Sequence, residues 1–424
     1  MKKWLLRIGL GFLGVLVLLY AVLMVRSSLP ATVHDQELQL VRARIPAGFN
    51  AFDALQTAKS QFWWPKNQGD QIYDLVRDTN WDAALASTVL ASNREMLASW
   101  DAAANMPAFQ VPAIRSFDDD MSYLADWKRL TQVAQVRENV LLHNGQDKEA
   151  FDQIVNHIQL GRRMQNAQGP LIQYLVGLAV CNLGLNQMQR WVGRTDLTPG
   201  QLKDYLRQLE PNPDEEAAAF ANTIKAEYQC QSKVLDDLRR GKVRDSETSG
   251  YYHRPTRWLP VFNYSQTKAL CANFNLKLIQ AAAHHYYEAK VTDLESRPSL
   301  AAMYLSGNAV GQILFYMTLP AMTSSLATKS KGNAQLQATR TILALRAYQL
   351  THGHLPADLN ALVPEFMEAV PIDDFDGQPL RYAPDRKTVY SVGKNLKDDG
   401  GDDRGSDTEP ASQRHLDLVY KFDF

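Results

Sequence analysis

Pro170 to Val192 reads PLIQYLVGLAVCNLGLNQMQRWV, and the fold turns on whether this stretch sits in a protein core or in a lipid bilayer. Proline suits the opening of a helix. Leu175, Leu178, Val180, Leu183, Leu185 and Met188 then fall on nearly every side. A helix apolar all round is either a central core helix or a membrane span. Asn182, Asn186, Gln187 and two glycines make a second span improbable, and the charged neighbours do not help it. The stretch is expected in the middle of a helical bundle.

The neighbours on both sides carry helical periodicity. Upstream, a helix is expected from Trp81 behind Asn80 as N-cap, with Leu85, Val89, Met96 and Trp100 recurring at helical spacing up to Asn105-Met106-Pro107. Asp120 to Leu142 and Asp147 to Asn166 are separated by His143-Asn144-Gly145, so the two are expected to form an antiparallel hairpin. Downstream, Thr198-Pro199 opens a short helix to Leu209, and Asp214 to Lys242 is a long charged amphipathic one. Asp245 to Asn263 reads as an aromatic, proline-rich loop, and Ser265 restarts a helix to about Leu294. No sustained 34-residue repeat emerges, so an irregular helical array or bundle is expected rather than a tetratricopeptide solenoid.

The other strongly apolar stretch is at the N-terminus, MKKWLLRIGLGFLGVLVLLYAVLMVR from Met1 to Arg26. Ile8 to Val25 carries no charge and, at about 1.5 Å per residue, spans roughly 27 Å. Hydrocarbon is about 30 Å thick, so residues 4–25 suffice to cross it. Lys2, Lys3 and Arg7 precede the run and only Arg26 follows closely, which places the N-terminus in the cytoplasm. The bulk of the chain is therefore expected in the periplasm, tethered to a bacterial inner membrane by one pass. A cleaved signal peptide is the rival reading. Its apolar run is usually shorter and ends in a small-x-small site, which Arg26-Ser27-Ser28-Leu29-Pro30-Ala31 does not offer.

Composition narrows the function classes. Hydrophobic content of 45% and charged content of 21% are those of a folded globular chain. A formal net charge of −1 excludes a strong electrostatic pull toward nucleic acid. Cys181, Cys230 and Cys271 form no C-x-x-C pair, so zinc-ribbon and thioredoxin-like chemistry find no support. The compartment would permit one disulfide among them.

The grammar changes after Gly353. Leu380-Arg381-Tyr382 and Thr388 to Val392 alternate with period two around Pro384-Asp385-Arg386-Lys387, a hairpin pattern, and Leu416 to Phe422 offers a third strand. From about Ala338 to Leu418 the order of features resembles the C-terminal half of the major pseudopilin of type II secretion systems. The matching pieces are the helix with ALRAYQLTHGHLP, the short DLNALVPE helix, VPIDDFDGQPLRY, and VYSVG before a loop with Gly400-Gly401 and many acids. They cover about a fifth of the chain. The resemblance implies a small α+β module with an antiparallel sheet. The N-terminus lacks the prepilin-peptidase site, and Arg340, Arg346 and Gln349 suit no filament core, so pilus assembly does not transfer. The helical body resembles bacterial envelope proteins that carry the same tail, and no activity follows from that.

In the pseudopilin family the loop after the tyrosine-serine-x-glycine strand binds calcium. The resemblance implies the same use here for Asn395, Asp398, Asp399, Asp402, Asp403 and Asp417, with Asp407 also within reach. Calcium takes six to eight oxygens at flexible geometry, which clustered carboxylates and loop carbonyls can supply. A solvated acidic turn is the plainer alternative.

Other constellations carry less. On a continuous helix His284 and Glu288 would stand one turn apart, a metal-holding spacing, but no third ligand accompanies them, and His285 falls near the apolar stripe. No nucleophile elbow, phosphate loop or dinucleotide fingerprint occurs. Trp63-Trp64-Pro65 suits either a core cap or contact with membrane, peptidoglycan or a partner. The expected organisation is an anchor at 1–28, a helical extracytoplasmic domain at 29–332 and a pseudopilin-like module at 333–424. The expected function is a non-enzymatic interaction or assembly component of the envelope, with protein partners. An extracytoplasmic enzyme with a site assembled from scattered residues is the alternative, and a deep polar cleft with perturbed carboxylates or histidines would favour it.

Overall fold

The segment from Leu171 to Trp191 is one helix, α8, and its window Leu171–Arg194 is 61% buried inside the protein. The computed structural model describes residues 2–65, 68–240, 261–402 and 417–424. Within it, α8 lies against α7 (Asp147–Gln165) at a spacing set by glycine. A Cβ on Gly161 would stand 2.5 Å from the Cys181 nitrogen, one on Gly177 2.7 Å from the Gln165 nitrogen, and one on Gly184 2.6 Å from Ile158 Cγ1. The three pairs keep one antiparallel register, numbers rising on α8 as they fall on α7. Only a residue without a side chain lets backbones approach this closely. Two amides of α8 are taken up by its neighbours. Gln187 donates to Asn139 Oδ1 at 2.8 Å, and Asn186 Oδ1 accepts from Gln335 at 2.6 Å.

The expected hairpin is present. α6 (Tyr123–His143) turns through Asn144, Gly145 and Gln146 into α7, with Gly145 in the left-handed region at φ 71°. The helix expected from Trp81 is instead two, α4 (Ala83–Ser92) and α5 (Arg94–Asn105). Asp82 is the cap, its carboxylate accepting from the Ala84 and Leu85 nitrogens at 3.0 Å. The break falls at buried Asn93, whose amide donates to the carbonyls of Trp63 and Val89 and accepts from the Trp63 nitrogen. That amide ties down the chain after α2 (Ala51–Gln61), which packs with α3 (Gly69–Arg77) around Phe52, Trp100 and Trp127. Trp64 stacks on Phe62 at 5.7 Å and joins the rim of this core.

Thr198 caps α9 (Pro199–Gln208) through a complete capping box with Gln201. α10 (Pro213–Arg239) follows behind Asn212, which accepts from the Glu215 nitrogen. α11 (Tyr264–Ala282) stops well before Leu294. There the chain turns so that the Tyr286 nitrogen reaches the Asp374 carbonyl at 3.0 Å and its ring meets Phe375 at 5.0 Å. Short helices α12 (Val291–Leu294) and α13 (Leu300–Leu305) lead into α14 (Ala309–His352). This last helix has 44 residues and a proline at 320, so it runs about 66 Å before Gly353 ends it at φ 80°.

α14 passes unbroken through residues 332 and 333, carrying the chain from body to C-terminal segment. Its second half shares a core with that segment, where Ile342 and Leu345 cluster with Leu362, Phe366, Val389 and Phe422. The sheet is three-stranded and antiparallel, ordered β1 (Arg381–Ala383), β2 (Thr388–Ser391), β3 (Leu418–Lys421). Val389 faces Tyr382 on one side and Tyr420 on the other. Cys181, Cys230 and Cys271 are each buried and free, so no disulfide joins any two of them. At the other end α1 (Lys2–Ser28) stands apart, its window Leu10–Ser28 0% buried.

Candidate functional site

A cleft opens between α10, α11 and α14. It has two lobes of about 350 and 340 Å³ that meet at Glu216, Asn333 and Leu336. Each lobe is within the range of small-molecule sites, roughly 300–1,000 Å³. Asn212 and Pro213 start α10 and set Glu216 within its first turns. α14 supplies Lys329 and Asn333 one turn apart on a single face. The turn after α11 brings His284 and His285, and the segment before β1 brings Asp374. Arg162, Tyr174 and Cys181 close the far lobe.

The charges on these walls are poorly matched by the protein itself. Burial holds the Glu216 carboxyl above the usual carboxylate range, against the pull of Arg162 and Lys329, with Asp374 adding to the rise. Among the described residues no hydrogen bond or close ion pair reaches the side chain of Glu216 or Lys329, although Lys329 is only 9% exposed. Asp374 is 7% exposed; its Oδ1 lies 2.7 Å from His285 Nδ1, while its buried Oδ2 has no partner. The nearby guanidinium groups are engaged elsewhere. Arg162 donates to the carbonyls of Leu209 and Glu210 at 3.3 and 3.2 Å, and Arg340 pairs with Glu210. A buried charge without a partner costs several kcal/mol, so such groups cluster where something else completes them. Lys329, Glu216 and Asp374, each incompletely matched on one cleft, suit a ligand that carries both signs.

The geometry corrects the histidine reading. α11 ends before His284, so His284 and Glu288 are not on one helix face; they lie 3.9 Å apart, both well exposed. His285, expected near the apolar stripe, instead sits on the cleft wall against Asp374.

The acidic loop holds itself together. Asp417 is 4% exposed, and its two oxygens accept from the Asp399 and Gly401 nitrogens at 3.3 and 2.6 Å. Burial pushes the Asp417 carboxyl up, helped by Asp399 and Asp398. Asn395 donates to Asp399 at 2.8 Å, and Asp398 accepts from the Gly400 nitrogen at 2.9 Å with Arg381 Nε 3.5 Å away. Arg386 donates to the carbonyls of Gly400 and Gly401. Asp402 is exposed, and Asp403 and Asp407 lie outside the described residues. Asp398, Asp399 and Asp417 are thus brought together, but much of their oxygen is taken by amides and guanidinium groups. Among the described residues, no group of three or more histidines, cysteines or carboxylates is set to hold a metal ion.

No family model, curated protein or solved structure matches the chain.

The residues that build the cleft escape a motif search, because they come from segments scattered along the chain, from Arg162 to Asp374. One signal was present. Leu326, Lys329, Asn333 and Leu336 follow each other at spacings of three, four and three, which is one helix face. A lysine on the face that also carries two core leucines is a polar residue turned inward. Glu216 has no such mark among the acids that open α10.

Proposed function

We propose that this chain is a single-pass membrane protein that holds a ligand-binding domain outside the cytoplasm, and that the cleft takes a short zwitterionic ligand of peptide character. The observation that carries the reading is the set of unmatched charges, Lys329 opposite Glu216 and the free Oδ2 of Asp374. A ligand carboxylate pairs with Lys329, and a ligand ammonium with Asp374 and Glu216. Supporting the tether, α1 is strongly apolar and 0% buried over Leu10–Ser28, whereas the less apolar α8 is mostly enclosed. The bias of Lys2, Lys3 and Arg7 supports a cytoplasmic N-terminus, an inner-membrane location and a periplasmic body. The resemblance of residues 338–418 to the pseudopilin module adds envelope proteins as partners, and calcium as a proposed ion for the acidic loop.

The test uses the full chain in lipid nanodiscs with tri-alanine as probe. A peptide with free ends is expected to raise the melting temperature, by about 2.7 kcal/mol of stabilisation at 100 times its dissociation constant. The same peptide acetylated and amidated is expected to do nothing, and K329M to abolish the effect. Equal binding of the blocked peptide, or an indifferent K329M, would overturn the ligand class.

A second reading has its own observation. His285 held by Asp374, with the raised carboxyl of Glu216 on the same cleft, is an acid–base set of the kind catalytic sites use. It predicts that bound peptide is converted. Mass spectrometry showing the peptide unchanged after long incubation would leave binding alone.

A further inference from the structure

We propose that α13 and the first turns of α14 lie in the headgroup region of the same bilayer that α1 crosses, so that the body rests on the membrane in one orientation. The inference builds on the anchor reading above. α13 has the sequence LAAMYL, without a charged side chain. Only Met303 turns inward, at 4% exposure, while Leu300, Tyr304 and Leu305 are 66%, 57% and 47% exposed. Such a face normally marks an interaction surface. Beyond Gly307 the patch continues along α14, where Val310, Ile313, Leu314 and Met317 recur at helical spacing and Met317 is 72% exposed.

The occupant follows from where the anchor leaves the body. Arg26 donates to the Leu305 carbonyl at 2.5 Å. Gly307, at φ 78°, is so close to α1 that a Cβ there would stand 2.7 Å from the Ser27 nitrogen. Asn263 donates to the carbonyls of Ser27 and Leu29, both at 2.8 Å, and Gln266 to those of Arg26 and Leu29 at 3.1 and 3.0 Å. Ser265 accepts from the Ala31 nitrogen at 3.0 Å. The exit of the anchor is therefore fastened to the body, not joined by a slack linker. A bilayer holding Ile8 to Val25 ends within a turn of Arg26, and the apolar patch includes Leu305, the residue Arg26 binds. Tyr304 has the apolar ring and polar tip that suit this depth, and exposed Arg297 can lift its charge toward the headgroups. A short apolar helix lying in the interface is a known way to hold a domain against lipid.

Spin labels on the full chain in phosphatidylcholine–phosphatidylglycerol vesicles test this. The native thiols are all buried, so labels attach to introduced cysteines. Tyr304→Cys and Met317→Cys are compared with Leu16→Cys in the anchor and with Leu350→Cys, about 60 Å further along α14 than Val310. Labels at 304 and 317 are expected to meet dissolved oxygen more than a water-soluble nickel chelate, and the label at 350 the reverse. If 304 and 317 behave like 350 while 16 is lipid-buried, the inference falls and the anchor stands. If 16 is also aqueous, the anchor reading falls with it.

Discussion

At Gly161 two effects oppose each other when the residue becomes alanine. Inside a helix the change gains about 0.5–1 kcal/mol of backbone entropy. Here the new Cβ meets the backbone of Cys181 at 2.5 Å, which no rotamer change relieves. Overpacking of this kind costs typically 1–3 kcal/mol, so Gly161→Ala is expected to destabilise the protein. Gly69→Ala, with open space around it, is expected to be neutral or slightly stabilising, and chemical denaturation of the two variants compares them. At Glu216 the sign depends on pH. Burial raises its carboxyl in the folded state, so folding favours the protonated form. Its contribution to stability is complete below about pH 4, under the unfolded value near 4.3, and is lost as pH rises through the folded value. Glu216→Gln is therefore expected to melt higher than wild type at pH 7 without ligand, and level with it near pH 4. An equal gain at both pH values would mean that the carboxylate carries no penalty. Such residues are where sequence reading falls short. A glycine in an apolar helix shows that something comes close, not which backbone does, and a glutamate in a row of acids looks solvated until a neighbouring helix covers it.

Elements fared better because their signals are local. The helices around α8, the hairpin between α6 and α7 and the order of strands could all be expected from period and punctuation, since Gly145 and the Pro384–Lys387 turn are written in the residues themselves. The misses share one cause, a distant partner. Asn93 splits α4 from α5 to bond with Trp63, and α11 stops at Ala282 because Tyr286 pairs with Asp374. No window of adjacent residues contains those partners. The acidic loop is the element whose use was read by resemblance, and its proposed calcium is tested by calorimetry on the full chain. Calcium bound by Asp398, Asp399 and Asp417 must displace the amides these carboxylates accept from or the Arg381 guanidinium beside Asp398, so it predicts heat and a melting shift, both weakened in D398A and D399A. Magnesium, which demands a smaller and stricter octahedron, is expected to substitute poorly. No heat in the wild type would leave the loop a turn fastened by Arg386.

At the scale of the molecule, one long helix carries the chain from body to sheet, and one uncovered apolar helix, the proposed anchor, leads into the body from the N-terminus. α14 lines the cleft with Lys329 and Asn333, then cores the C-terminal segment with Ile342 and Leu345. Cleft and sheet are consequently parts of one framework, and among the described residues the last turn of α1 is fastened to it. The proposed function depends most on which side of the membrane this framework faces, because a periplasmic body and its envelope partners presuppose it. The direct measurement is a pair of fusions after Phe424 in a bacterial host. With the body outside the cytoplasm, an alkaline phosphatase fusion is active, and a fluorescent protein that matures only in the cytoplasm stays dark. An inactive phosphatase with a bright fluorescent fusion would contradict the account.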